Sequence, residues 1–380
     1  MKQKARLALC LLLSAVLLTG CWDFREVEHV IYLNALGVDY VKGKYVLYAQ
    51  VIDFTNLSKQ EIGGGRHPEK AAIGKGIGDS FDEAAFNLYR TVQSKISWAH
   101  ITALVFTERA VEANISMKAI DLMRRYHELR HTMWTFGTRE SLADLFAVTP
   151  VMNLSILYSR LNSPEDPYKQ SSDIRPMFLN QYIASIKERA ETSLLPFLAI
   201  SKERWKMGEE SHPVLEINGV GVILNEKYQG FVDRAGLRGL RWVEPNHPRN
   251  AVFVHRNGKP FAAVVFLHPS SKIRPVVNGD QVQFDIEIKA KGSLLELMQV
   301  ASLDAIQKAV REQLEHEVRD TYEVGLAQKS DILNLGLELF RKDPDTWHSL
   351  QKDAELPLTR SSLRKVDVQV EILSSGKLKM

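Results

Sequence analysis

The opening of the chain constrains its fold most, because it decides which cysteines are available to it. Lys2, Lys4 and Arg6 precede an apolar run from Leu7 to Leu18, and Leu18-Thr19-Gly20-Cys21 follows. A basic start, about a dozen apolar residues and small residues before a cysteine form an export signal, shorter than the roughly 18 residues of a spanning helix. Residues 1–20 are therefore expected to be a signal peptide and Cys21 the first mature residue, alkylated by diacylglycerol and anchored by acyl chains. The only cysteines are Cys10 and Cys21. One is discarded and the other consumed, so no internal disulfide is available and stability has to come from burial.

The 49 Lys and Arg residues against 46 Asp and Glu suggest a basic protein. Three of the basic residues lie in the signal, so the mature chain is balanced and charge gives no reason to expect nucleic acid as a partner.

Val30 to Tyr40 and Lys44 to Asp53 are rich in Val, Ile, Leu and Tyr around a Val41-Lys42-Gly43 turn, which predicts a hairpin. A loop through Gly63, Gly64 and Gly65 should follow. Ser80 and Glu83 have capping-box spacing ahead of the apolar face Phe81, Ala84, Ala85, Leu88 and Val92. Strands are predicted at Ile101 to Thr107 and Thr132 to Gly137, and helices at Ala119 to Arg130 and Arg175 to Ala190.

The polar stretch 201–213 reads as a linker between residues 21–200 and 214–380. Beyond it, strands are expected at Leu215 to Leu224, Tyr228 to Val232, Ala251 to Val254, Phe261 to Leu267 and Val282 to Lys289. A long helix then carries Leu303, Ile306, Val310, Leu314 and Val318 on one face. A shorter helix capped at Ser330-Asp331 and a final strand from Lys365 to Leu373 complete the pattern. The expected class is α+β and multidomain: a mixed α/β N-terminal region, then a C-terminal β-sheet domain covered by a long helix.

His127-Glu128-Leu129-Arg130-His131 spells His-Glu-x-x-His on a predicted helix, where two imidazoles one turn apart share zinc in hydrolases and the glutamate activates water. A catalytic site needs a third protein ligand. The nearest carboxylate, Glu140, begins another element, so His127 is assigned to packing and His131 to a helix end. Gly74, Gly76 and Gly78 lack the spacing of a phosphate-binding loop and read as a tight strand-to-helix turn. No Gly-x-Ser-x-Gly motif occurs, and Glu209 with Glu210 reads as surface charge. Trp22, next to Cys21, suits a membrane interface. No catalytic residue, metal or cofactor is assigned.

Cys21-Trp22-Asp23-Phe24-Arg25-Glu26-Val27-Glu28 and Leu36-Gly37-Val38-Asp39 resemble the mature start of the Ger(x)C family, the lipoprotein C subunits of spore germinant receptors. Further matches are Gly74-Lys75-Gly76, Trp98-Ala99-His100, Glu128-Leu129-Arg130, Leu195-Pro196, Gly219-Val220-Gly221-Val222, Gly230, Gly239-Leu240-Arg241-Trp242, Lys272-Ile273-Arg274-Pro275, Gly292, Glu296 and Asp331-Ile332-Leu333. Where the family has an Arg-Asp pair before Glu-Leu-Arg, this chain has Arg125-Tyr126-His127.

The resemblance implies a non-enzymatic subunit on the outer face of the spore inner membrane, working with integral-membrane A and B type receptor subunits. It carries over one functional residue, the lipid-bearing Cys21. Two other readings stand beside it: a substrate-binding lipoprotein of an importer, which needs two similar lobes, and a tethered zinc hydrolase using His127, Glu128 and His131.

Overall fold

The first strand, β1 (Val30–Val41), turns through Lys42 and Gly43 into β2 (Lys44–Val51). Both turn residues have positive φ, 51° and 81°, the left-handed pair whose twist matches that of a two-residue hairpin. The computed structural model describes residues 30–52, 71–123, 125, 129–171, 173–245, 247–279 and 281–374. The expected signal peptide, Cys21, Trp22 and the Gly63 to Gly65 loop lie outside the described residues.

β3 (Ala72–Gly78) pairs antiparallel with β2 along its whole length. Gly74, Gly76 and Gly78 are therefore strand residues, not a turn, and alternation places them on one face. A Cβ on Gly76 would lie 2.0 Å from the Ala84 carbonyl oxygen of α1 (Phe81–Tyr89). Bare backbone on that face lets the helix rest directly on the strand. Ser80 Oγ accepts from the Glu83 amide at 3.1 Å, and the Glu83 carboxylate accepts from the Asp79 amide at 2.7 Å. The expected box thus reaches one residue further back than its usual form.

β4 (Lys95–Ser97), β5 (Ala103–Thr107), α2 (Glu108–Glu112), α3 (Ile115–Met123) and β6 (Trp134–Thr138) follow. Next come α4 (Leu142–Ala147), α5 (Glu165–Gln170), β7 (Met177–Phe178), α6 (Leu179–Lys187) and β8 (Ser193–Ser201). β1, β5, β6 and β8 run parallel through the middle of the sheet. Helix α3 stops at Met123 instead of reaching Arg130. Past Arg130 the chain is bound to α6, since the His131 and Met133 carbonyls accept from the Asn180 and Leu179 amides at 3.0 and 2.8 Å.

The stretch expected to link two domains holds β9 (Lys206–Met207) and β10 (Glu210–Ser211) and joins adjacent strands of one sheet. β11 (Val214–Leu224) pairs antiparallel with β8 and carries β12 (Lys227–Asp233) at the sheet edge. Two strands assigned from sequence to the second half thus complete the first sheet. Counting the short β4 and β7, it has 10 strands among the described residues, in the main order β12-β11-β8-β6-β5-β1-β2-β3.

After α7 (Leu240–Val243) comes a second sheet of β13 (Arg249–Arg256), β14 (Lys259–Leu267), β15 (Ser270–Asn278), β16 (Gln281–Leu297) and β17 (Leu363–Ser374). The 17-residue β16 has β17 parallel along one side and shares its other side between β15 and β14. Pro275 has no amide hydrogen for a ladder and sits in β15 at the sheet margin. Helix α8 (Leu303–Ala327) lies across this sheet with Ile306, Val310, Leu314 and Val318 fully buried, as its periodicity predicts. α9 (Leu335–Lys342) and α10 (Pro344–Leu350) close the seam with the first sheet.

One apolar core packs α1, α2, α3 and α6 on one face of the large sheet, through Leu36, Leu104, Phe106 and Phe197. A second runs without a break from the opposite face, through Val105, Phe136 and Val222, into Trp242, Phe266, Ile286 and Val318 of the second sheet and helix. The fold is α+β, as the patterning predicts. Its two sheets are unlike in size and strand direction, which removes the paired lobes that the importer reading requires.

Candidate functional site

The seam between the two sheets holds a buried charged network. Gly239 brings the chain against α8: a Cβ there would lie 2.3 Å from the Glu317 carbonyl oxygen. This close approach places the next two side chains over the helix. Arg241 Nη2 donates to both Glu317 carboxylate oxygens, at 3.2 and 3.0 Å, and Trp242 Nε1 donates to Oε2 at 2.7 Å. The Arg241 and Glu317 side chains are 11% and 6% exposed.

Arg241 also donates to the Ala251 carbonyl and approaches Asp173 at 3.7 Å, while Arg234 reaches Asp173 and Glu216 at 3.7 and 3.5 Å. Asp173 precedes β7 and Glu216 sits in β11, so the network ties the first sheet to α8. Burial and the neighbouring Arg234 charge pull the Arg160 guanidinium below its ordinary value. A buried pair of this kind registers elements against each other more than it adds net stability.

A second clamp closes the seam on the other side. The Thr192 amide donates to Asn334 Oδ1 at 2.7 Å, and Asn334 Nδ2 donates back to the Thr192 carbonyl at 3.2 Å. Asn334 adopts a left-handed backbone (φ 54°), which asparagine tolerates better than most residues, and stands directly before α9.

Two hollows flank this clamp. A cleft of about 400 Å³ is lined by Arg175, Gln181, Glu191, Glu244 and Arg341. Burial raises the Glu191 carboxyl, with Arg341 opposing that shift. A smaller hollow of about 230 Å³ lies between Thr192, Asp331, Trp347 and Leu356. Burial pushes the Asp331 carboxyl up to about 6, even though its Oδ2 accepts from the Gly336 amide at 2.6 Å at the start of α9.

The residues singled out from sequence fare differently. Cys21, His127 and Glu128 lie outside the described residues. His131 sits in a turn and not at the end of a helix. Glu140 accepts from the Ile200 amide at 3.4 Å. Among the described residues no three His, Cys, Asp or Glu side chains gather as metal ligands. Glu209, in the β9–β10 turn, and Glu210, at the start of β10, are both exposed.

Asp39, in the Leu-Gly-Val-Asp match, is buried and accepts from Thr107 Oγ1 at 2.5 Å and from Arg109 Nη2 at 2.6 Å. Trp98 donates from Nε1 to the Tyr89 hydroxyl at 2.8 Å. These motif residues are fold determinants. Sequence reasoning missed Glu317, although its position gave a signal: it shares a face with Leu314, Val318 and Thr321, where a lone carboxylate requires a partner.

Comparison with known proteins agrees with this architecture. A family model described as the spore germination protein N-terminal domain matches residues 23–200, and one described as spore germination B3/GerAC like, C-terminal, matches residues 218–376. The first match ends within β8 and the second begins within β11, two strands paired with each other, so the first sheet spans both matched segments. Spore germination protein KC of Bacillus subtilis (strain 168) is 22% identical over 92% of this chain and 91% of its own length. Spore germination protein B3 of the same organism is 20% identical over 94% and 95%. The crystal structure of the GerBC protein superposes with a TM-score of 0.51 at 18% identity, covering 93% of this chain and 99% of that one. With both halves matched, in order, over nearly the whole described body, the chain belongs to the Ger(x)C family of spore germination proteins, the C-subunit family of germinant receptors.

Proposed function

We propose that this protein is the lipid-anchored, non-enzymatic C subunit of a germinant receptor, held by Cys21 on the outer face of the spore inner membrane. There it docks on integral-membrane A and B type subunits, in receptor assembly or in relay of the nutrient signal. The observation that carries the anchor is the placement of Leu18-Thr19-Gly20-Cys21 only nine residues ahead of Val30, where β1 begins. Such a tether spans at most about 30 Å when extended. It would keep the entry of β1 close to the bilayer and raise the local concentration of the body near its partners, so that even a weak interface is occupied.

Among the described residues no helix is long and apolar enough to cross a membrane, which is consistent with attachment through the lipid. The test is Cys21→Ala expressed as the sole copy. The variant should leave the membrane fraction and slow nutrient-triggered germination while the folded body keeps its melting temperature. A normal germination response from a membrane-free variant would overturn the reading.

A further inference from the structure

The segment between α4 and α5 leaves four large apolar side chains in solvent over a short stretch: Met152 is 69% exposed, Leu154 39%, Leu157 37% and Tyr158 71%. Met152 and Asn153 both hold positive φ, 59° and 51°. Methionine gains nothing locally from that conformation, and a strained turn that presents apolar side chains outward points to a surface with a partner.

The turn is fixed to the sheet beside the entry of β1. Ile156 is buried, and its carbonyl accepts from Asn162 Nδ2 at 2.9 Å. Thr102 Oγ1 donates to Asn162 Oδ1 at 2.5 Å, and the Thr102 amide donates to the Asn34 carbonyl at 2.8 Å. Asn34 follows Val30, the first residue of β1, by about 13 Å of strand. The chain from Cys21 to Val30 reaches at most about 30 Å. Lipid on Cys21 therefore keeps the β1 entry, and the turn tied to it, close to a bilayer.

Composition suits that surface. From Leu145 to Pro164 the chain has no Asp or Glu, and Arg160 is its only charged residue, so nothing in the stretch repels anionic headgroups. Tyr158 joins an apolar ring to a polar tip, as interfacial side chains do. A second exposed apolar segment, from Leu295 to Leu303 through the fully exposed Val300, contains Glu296 and is followed by Asp304.

We propose that the 152–158 turn is a second membrane contact, resting at shallow depth in the headgroup region of an anionic phospholipid bilayer and setting how the body faces it. With the tether in place the turn meets the bilayer at high effective concentration, so a shallow contact of four side chains suffices. The proposal rests on the Cys21 anchor proposed above.

The cysteine content makes the test direct. Cys10 leaves with the signal peptide and Cys21 is blocked by lipid, so one introduced cysteine is the only site for a thiol dye. Met152→Cys, Tyr158→Cys and Val300→Cys, each labelled with nitrobenzoxadiazole, are reconstituted as the lipidated chain in phosphatidylglycerol and phosphatidylethanolamine vesicles, with and without doxyl-labelled phospholipid. Emission at 152 and 158 should shift to the blue and be quenched by the doxyl lipid, whereas emission at 300 should do neither. Unquenched emission at either 152 or 158 overturns the proposal and leaves the cluster to a protein partner. Equal quenching at 300 also overturns it, because the body then lies on the bilayer with no preferred face. Dye uptake by the unaltered chain has a different meaning: it shows a free Cys21 thiol and overturns the anchor, and this proposal with it.

Discussion

Arg241 and Glu317 meet inside the seam with one guanidinium nitrogen 3.0 and 3.2 Å from the two carboxylate oxygens, and Trp242 occupies the remaining approach to Oε2. Seventy-odd residues separate the partners in sequence, so the contact forms only after α8 has docked on α7. It joins the turn out of the first sheet to the helix over the second.

Removing one member of that pair should cost more than removing both. Arg241→Ala leaves the Glu317 charge buried, and a loss of about 3–5 kcal/mol is expected. Arg241→Met with Glu317→Leu should recover most of it, because no ion is then stranded. Urea unfolding of the two single variants and the double variant, as a cycle, measures the coupling.

The contact of α1 with β3 predicts a sharp response at Gly76. Ala at this position would drive its Cβ into the Ala84 carbonyl, and the helix must shift outward at a cost of about 1–3 kcal/mol. Gly43 has nothing within 4 Å of its virtual Cβ and only its φ of +81° to protect, so Gly43→Ala should be the milder change. Melting temperatures of the two variants provide the comparison.

Asp331 makes stability depend on pH in a direction unusual for a carboxylate. Its value rises from 3.8 to about 6 on folding, so the folded state holds its proton more tightly. The stability it contributes is complete below pH about 4, falls as pH rises to about 6, and is level above that, a change of up to about 3 kcal/mol. Lys329 and Glu355 share its surroundings, and the Tyr322 hydroxyl, raised by burial and in part by the Asp331 charge, loses that contribution in Asp331→Asn but ionises far above this pH range. The difference in unfolding free energy between parent and Asp331→Asn should therefore follow this curve, with the variant gaining relative stability between about pH 4 and 6 and holding that gain at higher pH. A flat difference would show that the carboxyl is not shifted.

Asn334 serves the seam with both its backbone and its amide. Asn334→Gly keeps the left-handed conformation and loses the two bonds to Thr192, whereas Asn334→Ala loses both features. Losses of about 1–2 kcal/mol for Gly, and about 1 kcal/mol more for Ala, are expected. Hydrogen exchange at the Thr192 amide should accelerate in both variants, which separates the clamp from a general loss of stability.

Much of the local structure was legible in the chain. The Lys42-Gly43 turn, the Ser80 cap, the apolar stripe of α8, the continuous apolar runs of β5 and β14 and the alternation in β17 all depend on residues close together in sequence. The readings that failed share one cause, which is competition from distant backbone. The helix predicted over Ala119 to Arg130 ends at Met123, and Leu129 and Arg130 are already outside it, on the approach that the start of α6 holds through the His131 and Met133 carbonyls. The pairing of Leu215 with Ile200 across the polar 201–213 stretch is likewise not written in that stretch. Gly74, Gly76 and Gly78 looked like a turn because a glycine contributes no side chain to a periodic pattern, and its role is visible only once α1 is in place.

What the sequence determined by itself, then, is the set of strands and helices whose apolar faces recur at fixed intervals, and the ordered motifs that mark the Ger(x)C family. What only the tertiary structure decided is which sheet receives β11, which cation neutralises Glu317, and where Thr192, Asp331 and Trp347 converge. Periodicity is a property of neighbours along the chain. Partner choice for a buried charge or an unpaired backbone group depends on surfaces brought together from distant parts of the chain, 76 residues apart for Arg241 and Glu317 and 142 for Thr192 and Asn334, and leaving such a group unpaired becomes costly only after water has been excluded.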